Sequence, residues 1–263
     1  MNSKELHGQA AVVTGSSSGI GRAIALELAA AGADILVHAK SNRQGAEQTA
    51  EEIRKLGVNA ATVCVDLADP QQHEALIQAA WGWREDVSIW INNAGADVLT
   101  GEPAKWSFER KLEHLWKVDV TASIRLSRLA GAKMWEREEG QGEGTSSILN
   151  IGWDQSEHGM AGDSGELFSA IKGAVTAFSK SLAQSLAPRV RVNCVAPGWI
   201  KTAWGDQASE YWQQRACQES LLRRWGLPED IAAAAKYLVS PAAGFVTGQV
   251  LAVNGGFHRS CSS

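Results

Sequence analysis

Short apolar runs bounded by glycine or proline alternate with longer amphipathic segments along almost the whole chain. The runs are Ala10–Thr14, Asp34–Ala39, Ala60–Asp66, Ser88–Asn92, Ser147–Ile151, Arg191–Ala196 and Gln249–Val253. Most are apolar along their length rather than at every second residue, the pattern of a strand covered on both faces. Between them Gly21–Ala31, Ala46–Leu56, Gln71–Trp81, Trp106–Glu136, Glu166–Leu186 and Glu229–Val239 carry apolar residues at helical spacing, as Ile24, Leu28 and Ala31 illustrate. Asp69-Pro70 and Leu227-Pro228 read as helix openings, because proline in a first turn gives up an N–H that would be unbonded anyway. Strand and helix in strict alternation predict an α/β chain with one parallel sheet covered on both sides. No linker or repeat interrupts residues 1–263, so one domain is expected. The charged, glycine-rich stretch Glu136–Gly144 reads as a surface loop.

Composition narrows the partners. Hydrophobic residues make up 44% and charged residues 21%, which excludes an intrinsically disordered chain. Lys and Arg total 25 against 29 Asp and Glu, so the basic excess that a nucleic-acid binder needs is missing. The first ten residues lack an apolar signal core and no run approaches the ~18 apolar residues of a membrane span. A cytoplasmic protein with no membrane partner is expected. Cys64, Cys194, Cys217 and Cys261 are far apart and predict reduced thiols rather than disulfides or a metal site. Trp is unusually frequent, 11 residues against 2 Tyr.

The segment Thr14-Gly15-Ser16-Ser17-Ser18-Gly19-Ile20-Gly21 joins the first strand to the first helix. Small residues there let the backbone approach a pyrophosphate, and the helix start offers free N–H groups at the positive end of its dipole. Dinucleotide binding is the expectation. The adenosine ribose is usually read about 20 residues further on by an acidic side chain. Ala39 and Lys40 occupy that place, followed by Ser41 and Arg43. Two cations and no carboxylate suit a 2′-phosphate, so NADP(H) is expected to be preferred, with NAD(H) the alternative.

At these motifs the chain resembles the short-chain dehydrogenase/reductase family. Thr14–Gly21 matches its glycine loop, Asp66-Leu67 follows the third strand, and Asn92-Asn93-Ala94-Gly95 follows the fourth. Asn193–Thr202 and Thr247–Gly256 complete the series. The resemblance implies a Rossmann-like, doubly wound, seven-stranded parallel sheet. It implies that Gly15, Ser17, Ser18, Gly19 and Ile20 bind the cofactor, that Asp66 and Leu67 meet the adenine, and that Asn93, Ala94, Gly95 and Ile151 line the cleft. Pro197, Gly198, Ile200 and Thr202 would hold the nicotinamide, and a segment near 199–226 would cover a small-molecule substrate. A homodimer or homotetramer is also implied.

The family works with an Asn-Ser-Tyr-Lys set, and here the pattern departs from it. Lys172 is retained and is expected to contact the nicotinamide ribose. The Tyr position is Phe168, the Ser position falls on Trp153, and the Asn position is Asp119. Trp153 and Phe168 are 15 apart, about two more than usual; the usual separation counted back from Phe168 lands on Gln155, beside Ser156. Losing one general acid or base costs ~10²–10⁴ in rate. A substitute is therefore sought in the polar loop Trp153–Glu166, where His158 titrates nearest neutrality and Asp154 and Ser156 lie nearest the missing Ser. Trp153, Phe168, Trp199, Trp204, Tyr211, Trp212 and Trp225 could wall an apolar pocket for a cyclic or flat substrate. Trp106, Trp116 and Trp135 are alternatives between core and subunit interface. Two readings follow: an NADP(H)-dependent oxidoreductase with an atypical proton relay, or a cofactor-binding sensor or subunit without turnover.

Overall fold

The computed structural model describes residues 4–136 and 146–257. Most of the predicted Glu136–Gly144 loop, Cys261 and the side chain of Trp204 lie outside the described residues. In chain order the elements are β1 (Ala10–Val13), α1 (Gly19–Ala30), β2 (Asp34–Ala39), α2 (Arg43–Lys55), β3 (Ala60–Cys64), α3 (Gln71–Trp83) and β4 (Val87–Asn92). Then come α4 (Phe108–Leu115), α5 (Ala122–Trp135), β5 (Ser146–Ile151), α6 (Gln155–His158), α7 (Asp163–Leu186) and β6 (Val190–Pro197). The chain closes with α8 (Ala203–Gln207), α9 (Glu210–Glu219), α10 (Pro228–Val239) and β7 (Val250–Val253). The seven strands form one parallel sheet in the order β3-β2-β1-β4-β5-β6-β7. The order reverses between β1 and β4, and at such a switch point the loops at the carboxyl ends of the strands part to leave a crevice.

Alternation along β1 divides the core. Ala11 and Val13 face the layer of α1, α2 and α10, packing with Ile24, Leu28, Ile231 and Leu238. Ala10 and Val12 face α3, α5 and α7, packing with Leu76, Trp90, Leu126, Ile148 and Leu182. Both faces are thus buried, which is why the strands read as continuous apolar runs. Inside the second layer, Trp90 Nε1 donates to Asn92 Oδ1 at 2.9 Å, and Asn92 Nδ2 donates to Ser127 Oγ and Asn150 Oδ1, each at 2.8 Å. Asn150 Nδ2 continues to Ser179 Oγ at 2.8 Å. This satisfied buried network fixes β4 against β5 and α7.

The expected helix from Trp106 is the main departure. Pro103–Lys105 makes a short 3₁₀ turn, Trp106 is extended, and Ser107 caps α4 by accepting from the Arg110 N–H. Between α4 and α5 the chain widens into a π-helical turn, Trp116–Thr121, which buries Asp119 and Val120. The Val65 N–H still donates to the Ala39 carbonyl of β2, but the Val65 carbonyl accepts from His38 Nε2 and the Asp66 N–H donates to Gln72 Oε1, so the ladder ends there. α7 begins at Asp163, three residues before the expected start, after Gly162 at φ +93°. The short helices α6, α8 and α9 were not marked by periodicity.

Candidate active site

Above the carboxyl ends of the strands lie two cavities that share Gly95, Ala96 and Asp97. The first, about 550 Å³, is lined by Gly15, Ser17, Ser18, Lys40, Asp66, Leu67, Asn93 and Ala94, together with His38, Trp106, His114 and Val118. The second, about 620 Å³, is lined by Ile20, Asp119, Ile151, Lys172, Pro197, Gly198, Ile200 and Thr202, and by Leu99, Trp153, Met160, Ser164, Phe168, Trp199 and Trp212. Most of the expected cofactor-site residues are therefore brought together along one cleft. Ser41 and Arg43 are exposed at the start of α2 and line neither cavity. Gly19 sits at φ +55° at the head of α1 with open space where a Cβ would stand.

The glycine loop is pinned from two sides. Thr14 Oγ1 accepts the N–H groups of Asn93 and Ala94 at 2.9 and 3.0 Å, and Asn93 Nδ2 donates back to the Thr14 and Gly15 carbonyls. On the other side the Gly15 N–H donates to His38 Nδ1 at 3.0 Å, so the ring proton sits on Nε2 and reaches the Val65 carbonyl at 3.1 Å. Burial lowers the His38 pKa to about 4, against smaller raising effects from Val65 and Asp66, and keeps the ring neutral. Ser18 caps α1 in an extended conformation without a side-chain bond, leaving the helix start open toward the cleft. At the far end Lys40 pairs with Asp66 at 3.0 Å. Burial opposes ionisation of Asp66, but the Ala68 N–H and Lys40 hold its carboxyl below the ordinary value.

The second cavity is built around an ion pair. The π-helical turn directs Asp119 inward, where Oδ1 meets Lys172 Nζ at 2.9 Å and Oδ2 accepts the Ala96 N–H at 2.9 Å. Asp119 is 2% and Lys172 14% exposed at the side chain, so the carboxylate is enclosed and the ammonium keeps an opening to the cavity. Lys172 Nζ also donates to the Ile151 carbonyl at 3.4 Å. Ser164, Phe168 and Lys172 follow one another at one-turn intervals on the cavity face of α7. Trp153 packs edge-to-face on Phe168 with ring centres 6.1 Å apart. The place expected to carry hydroxyls is thus an aromatic wall.

The candidate substitutes lie elsewhere. His158 is exposed at the end of α6, stacked on Phe257 at 4.8 Å, and lines neither cavity. Asp154 and Ser156 are turned beneath the surface. Asp154 Oδ2 accepts from Asn254 Nδ2 at 3.0 Å, and burial pushes its pKa up despite that bond. Asp154 Oδ1 and Ser156 Oγ are enclosed with no hydrogen-bond partner. Trp199 and Trp212 line the cavity as expected, whereas Tyr211 is exposed and Trp225 is buried edge-on behind Trp199. Trp116 is exposed, and Trp106 lines the first cavity with Arg110 over its ring. His38, Asp97, Met160 and Ser164 were missed as site residues. His38 was the most legible of them, a histidine inside an otherwise apolar strand beside the glycine loop.

Among the described residues no group of His, Cys, Asp or Glu could hold a metal ion, and no helix is long and apolar enough to cross a membrane. The sheet order and the two-cavity cleft at its switch point define a Rossmann-like α/β protein. Comparison with known proteins then gives the family. The profile described as enoyl-(acyl carrier protein) reductase matches residues 15–258. A 3-oxoacyl-[acyl-carrier-protein] reductase of Aquifex aeolicus is 35% identical over 96% of this chain and 98% of its own. Glucose 1-dehydrogenase 2 of Bacillus subtilis is 32% identical over 96% of each. A 7α-hydroxysteroid dehydrogenase solved with NADH and a 7-oxo bile acid superposes with a TM-score of 0.87 at 30% identity, covering 98% of both chains. A metagenomic blue fluorescent protein solved with NADPH gives 0.84 at 31% identity, covering 97% of this chain and 100% of that one. The chain belongs to the short-chain dehydrogenase/reductase family, and it is an oxidoreductase of that type.

Proposed function

We propose that the chain is an NADP(H)-dependent oxidoreductase that interconverts an alcohol and a carbonyl, with the Lys172 ammonium as its proton donor. The carrying observation is the Asp119–Lys172 pair, enclosed on the carboxylate side and open on the ammonium side beside an aromatic wall. A nicotinamide dinucleotide fits the residues present. The α1 start is uncapped, Gly19 leaves open space, and the two cavities run together past Gly95. Gly15, Ser17, Ser18, Lys40 and Asp66 would hold its adenosine and phosphates, and Pro197, Gly198, Ile200 and Thr202 its nicotinamide. When bound, that group supplies a hydride to a carbonyl carbon or accepts one from an alcohol carbon.

The protein's own part is to bind and protonate the oxygen. With no hydroxyl at Phe168 or Trp153, the Lys172 ammonium is the acid nearest the cavity on α7. In reduction its proton goes to the substrate oxygen; in oxidation the amine takes it back. Asp119 Oδ1 balances its charge and fixes its position, and the Ala96 N–H fixes Asp119 in turn. Preference for NADP(H) is supported by Lys40, which lines the first cavity half-exposed while paired with Asp66, and by the absence of a carboxylate at the end of β2. The protein is further proposed to be a homodimer or homotetramer and cytoplasmic, the latter in keeping with Cys64, Cys194 and Cys217, which are free thiols among the described residues.

Titration with NADPH and NADH, followed by Trp quenching, tests the cofactor half. Tighter NADPH binding that is lost in Lys40→Ala upholds the assignment, and equal binding of the two overturns it. Turnover of a cyclic-alcohol panel tests the rest: Lys172→Met is expected to lower it by ~10² or more. Phe168 and Trp153 favour a second reading, a cofactor-binding subunit without turnover. Tight binding with no turnover of any alcohol or ketone in wild type would select it.

A further inference from the structure

Two rings that line the second cavity come from the chain beyond β6: Trp199, just past the strand, and Trp212, in the first turn of α9. Their centres are 5.5 Å apart and their planes are tilted by 42°. What holds them together lies behind the cavity. Trp199 Nε1 donates to Glu219 Oε2 at 2.7 Å, and Arg215 Nε donates to Glu219 Oε1 at 2.7 Å. The Arg215 guanidinium in turn lies 5.1 Å from the Trp212 ring centre and 5.9 Å from that of Trp199. Trp212, Arg215 and Glu219 stand three and four residues apart, so one face of α9 carries all three. Neither Arg215 nor Glu219 lines the cavity.

The two ends of α9 are held differently. After its last turn Ser220 pairs with Phe257, and the Leu221 and Leu222 N–H groups donate to the Gly256 and Gly255 carbonyls at 2.9 and 3.1 Å. At its start Ser209 caps the helix without a side-chain bond. Gln213 Nε2 reaches the Gly205 carbonyl at 2.6 Å, but Gly205 belongs to α8, within the same covering segment. The Trp199–Glu219 bond instead joins α9 to the end of β6. An exposed pair of charges one helical turn apart contributes little. Here the Arg215 and Glu219 side chains are only 26% and 14% exposed, so water competes weakly for the carboxylate. The same carboxylate fixes a ring of the cavity wall, and its loss would be felt there.

We propose that Glu219 is a specificity-determining positioning residue: by tying Trp199 to Arg215 it fixes the Trp199–Trp212 wall, and so sets a preference for fused-ring apolar alcohols or ketones over single-ring ones. A ring bearing the reacting carbon sits beside Lys172, and a second, fused ring takes its contact from that wall. The fixed wall stands on the bonds themselves; its effect on an alcohol or ketone rests on the oxidoreductase reading.

The test compares cyclohexanone with 2-tetralone, which adds a fused ring without conjugating the carbonyl. Affinities of the full-length protein are measured by calorimetry in the presence of NADP+, and hydride transfer is followed separately by NADPH absorbance. Two tilted indoles this close couple their transitions, so the wall has a signature of its own, a circular dichroism couplet identified by its loss in Trp212→Phe. Wild type is expected to bind 2-tetralone the more tightly. In Glu219→Ala the couplet should disappear and that preference should fall roughly threefold to tenfold, with NADPH affinity unchanged. Glu219→Leu, close in size and unable to accept either bond, repeats the test if the alanine variant fails to fold. Glu219→Gln, which keeps an acceptor for Trp199 Nε1, should retain the couplet and most of the preference. Equal binding of the two ketones by wild type, a couplet and preference that survive removal of the carboxylate, or a loss that Glu219→Gln shares in full would overturn the proposal. Loss of the preference with no hydride transfer to either ketone in wild type would uphold the wall and count against the oxidoreductase reading. Hydride transfer with the preference unchanged in the variants would refute the role of Glu219 alone.

Discussion

Protonation of His38 should cost the fold its grip on the glycine loop, and the size of that cost can be worked from the structure. The ring is 1% exposed, accepts the Gly15 N–H on Nδ1 and donates from Nε2 to Val65. A second proton can be added only at Nδ1, where it would face an N–H instead of a lone pair. The pKa of about 4 lies below the ordinary 6.5, so between these values the unfolded chain binds more protons and stability falls as pH falls. The stabilisation is fully present above pH 6.5. With those two constants the loss is about 2 kcal/mol by pH 5 and roughly 3 kcal/mol by pH 4. Other groups titrate in this range, and Asp154, whose pKa is raised by burial, acts in the opposite sense. A comparison removes them. In His38→Asn the amide oxygen can still accept from Gly15, but nothing titrates at this position. Urea unfolding of both proteins at pH 7 and pH 5, at one protein concentration, should give a wild type that loses about 2 kcal/mol more than the variant. NADPH affinity should weaken over the same pH interval in wild type and less in the variant. Equal losses in both proteins would refute the argument, because His38 would then not be held neutral by the fold.

Asp119→Asn strips the Lys172 ammonium of its counter-charge while leaving an acceptor for the Ala96 N–H, and it should cost about 3 kcal/mol in chemical denaturation. The double variant with Lys172→Met should be less destabilised than the sum of the single ones; additive losses would show that the pair is not coupled. Gly21→Ala would bring a Cβ within 2.3 Å of the Gly15 carbonyl oxygen and 2.4 Å of Asn93 Nδ2, both fixed by the Thr14 and Asn93 bonds. A loss of roughly 1–3 kcal/mol and NADPH binding weakened by about tenfold or more are expected, read by thermal unfolding and Trp quenching.

How much was legible depended on whether a residue's role came from its neighbours in sequence or from a turn made elsewhere. The sheet was legible because its central strands, buried on both faces, must be apolar throughout, and every expected strand overlaps an observed one. The glycine loop was legible because its chemistry is local: small residues, a helix start, and a strand before it. Lys172 was too, since one helical turn from Phe168 fixes its face. Asp119 was identified by position, but its reach was not. A regular helix from Trp106 gives no reason for a carboxylate at 119 to enter the cavity, and the π-helical turn that supplies the reason leaves no mark in the apolar spacing.

The polar loop after Trp153 misled for the converse reason. Residue type and nearness in sequence do not say which way a short helix turns. α6 puts Asp154 under Gly198 and swings His158 onto Phe257 at the surface. A proton donor must first be within reach of the reacting oxygen, and a group with a suitable pKa outside the cavity contributes nothing to the step. Reach favours Lys172, which faces the cavity from the same side of α7 as Ser164 and Phe168. Restoring a phenol by Phe168→Tyr sets it against the ammonium in one cavity. If Lys172 can only orient and not donate, the added hydroxyl should raise turnover; if it already donates, the phenol gains little and narrows the space against Trp153.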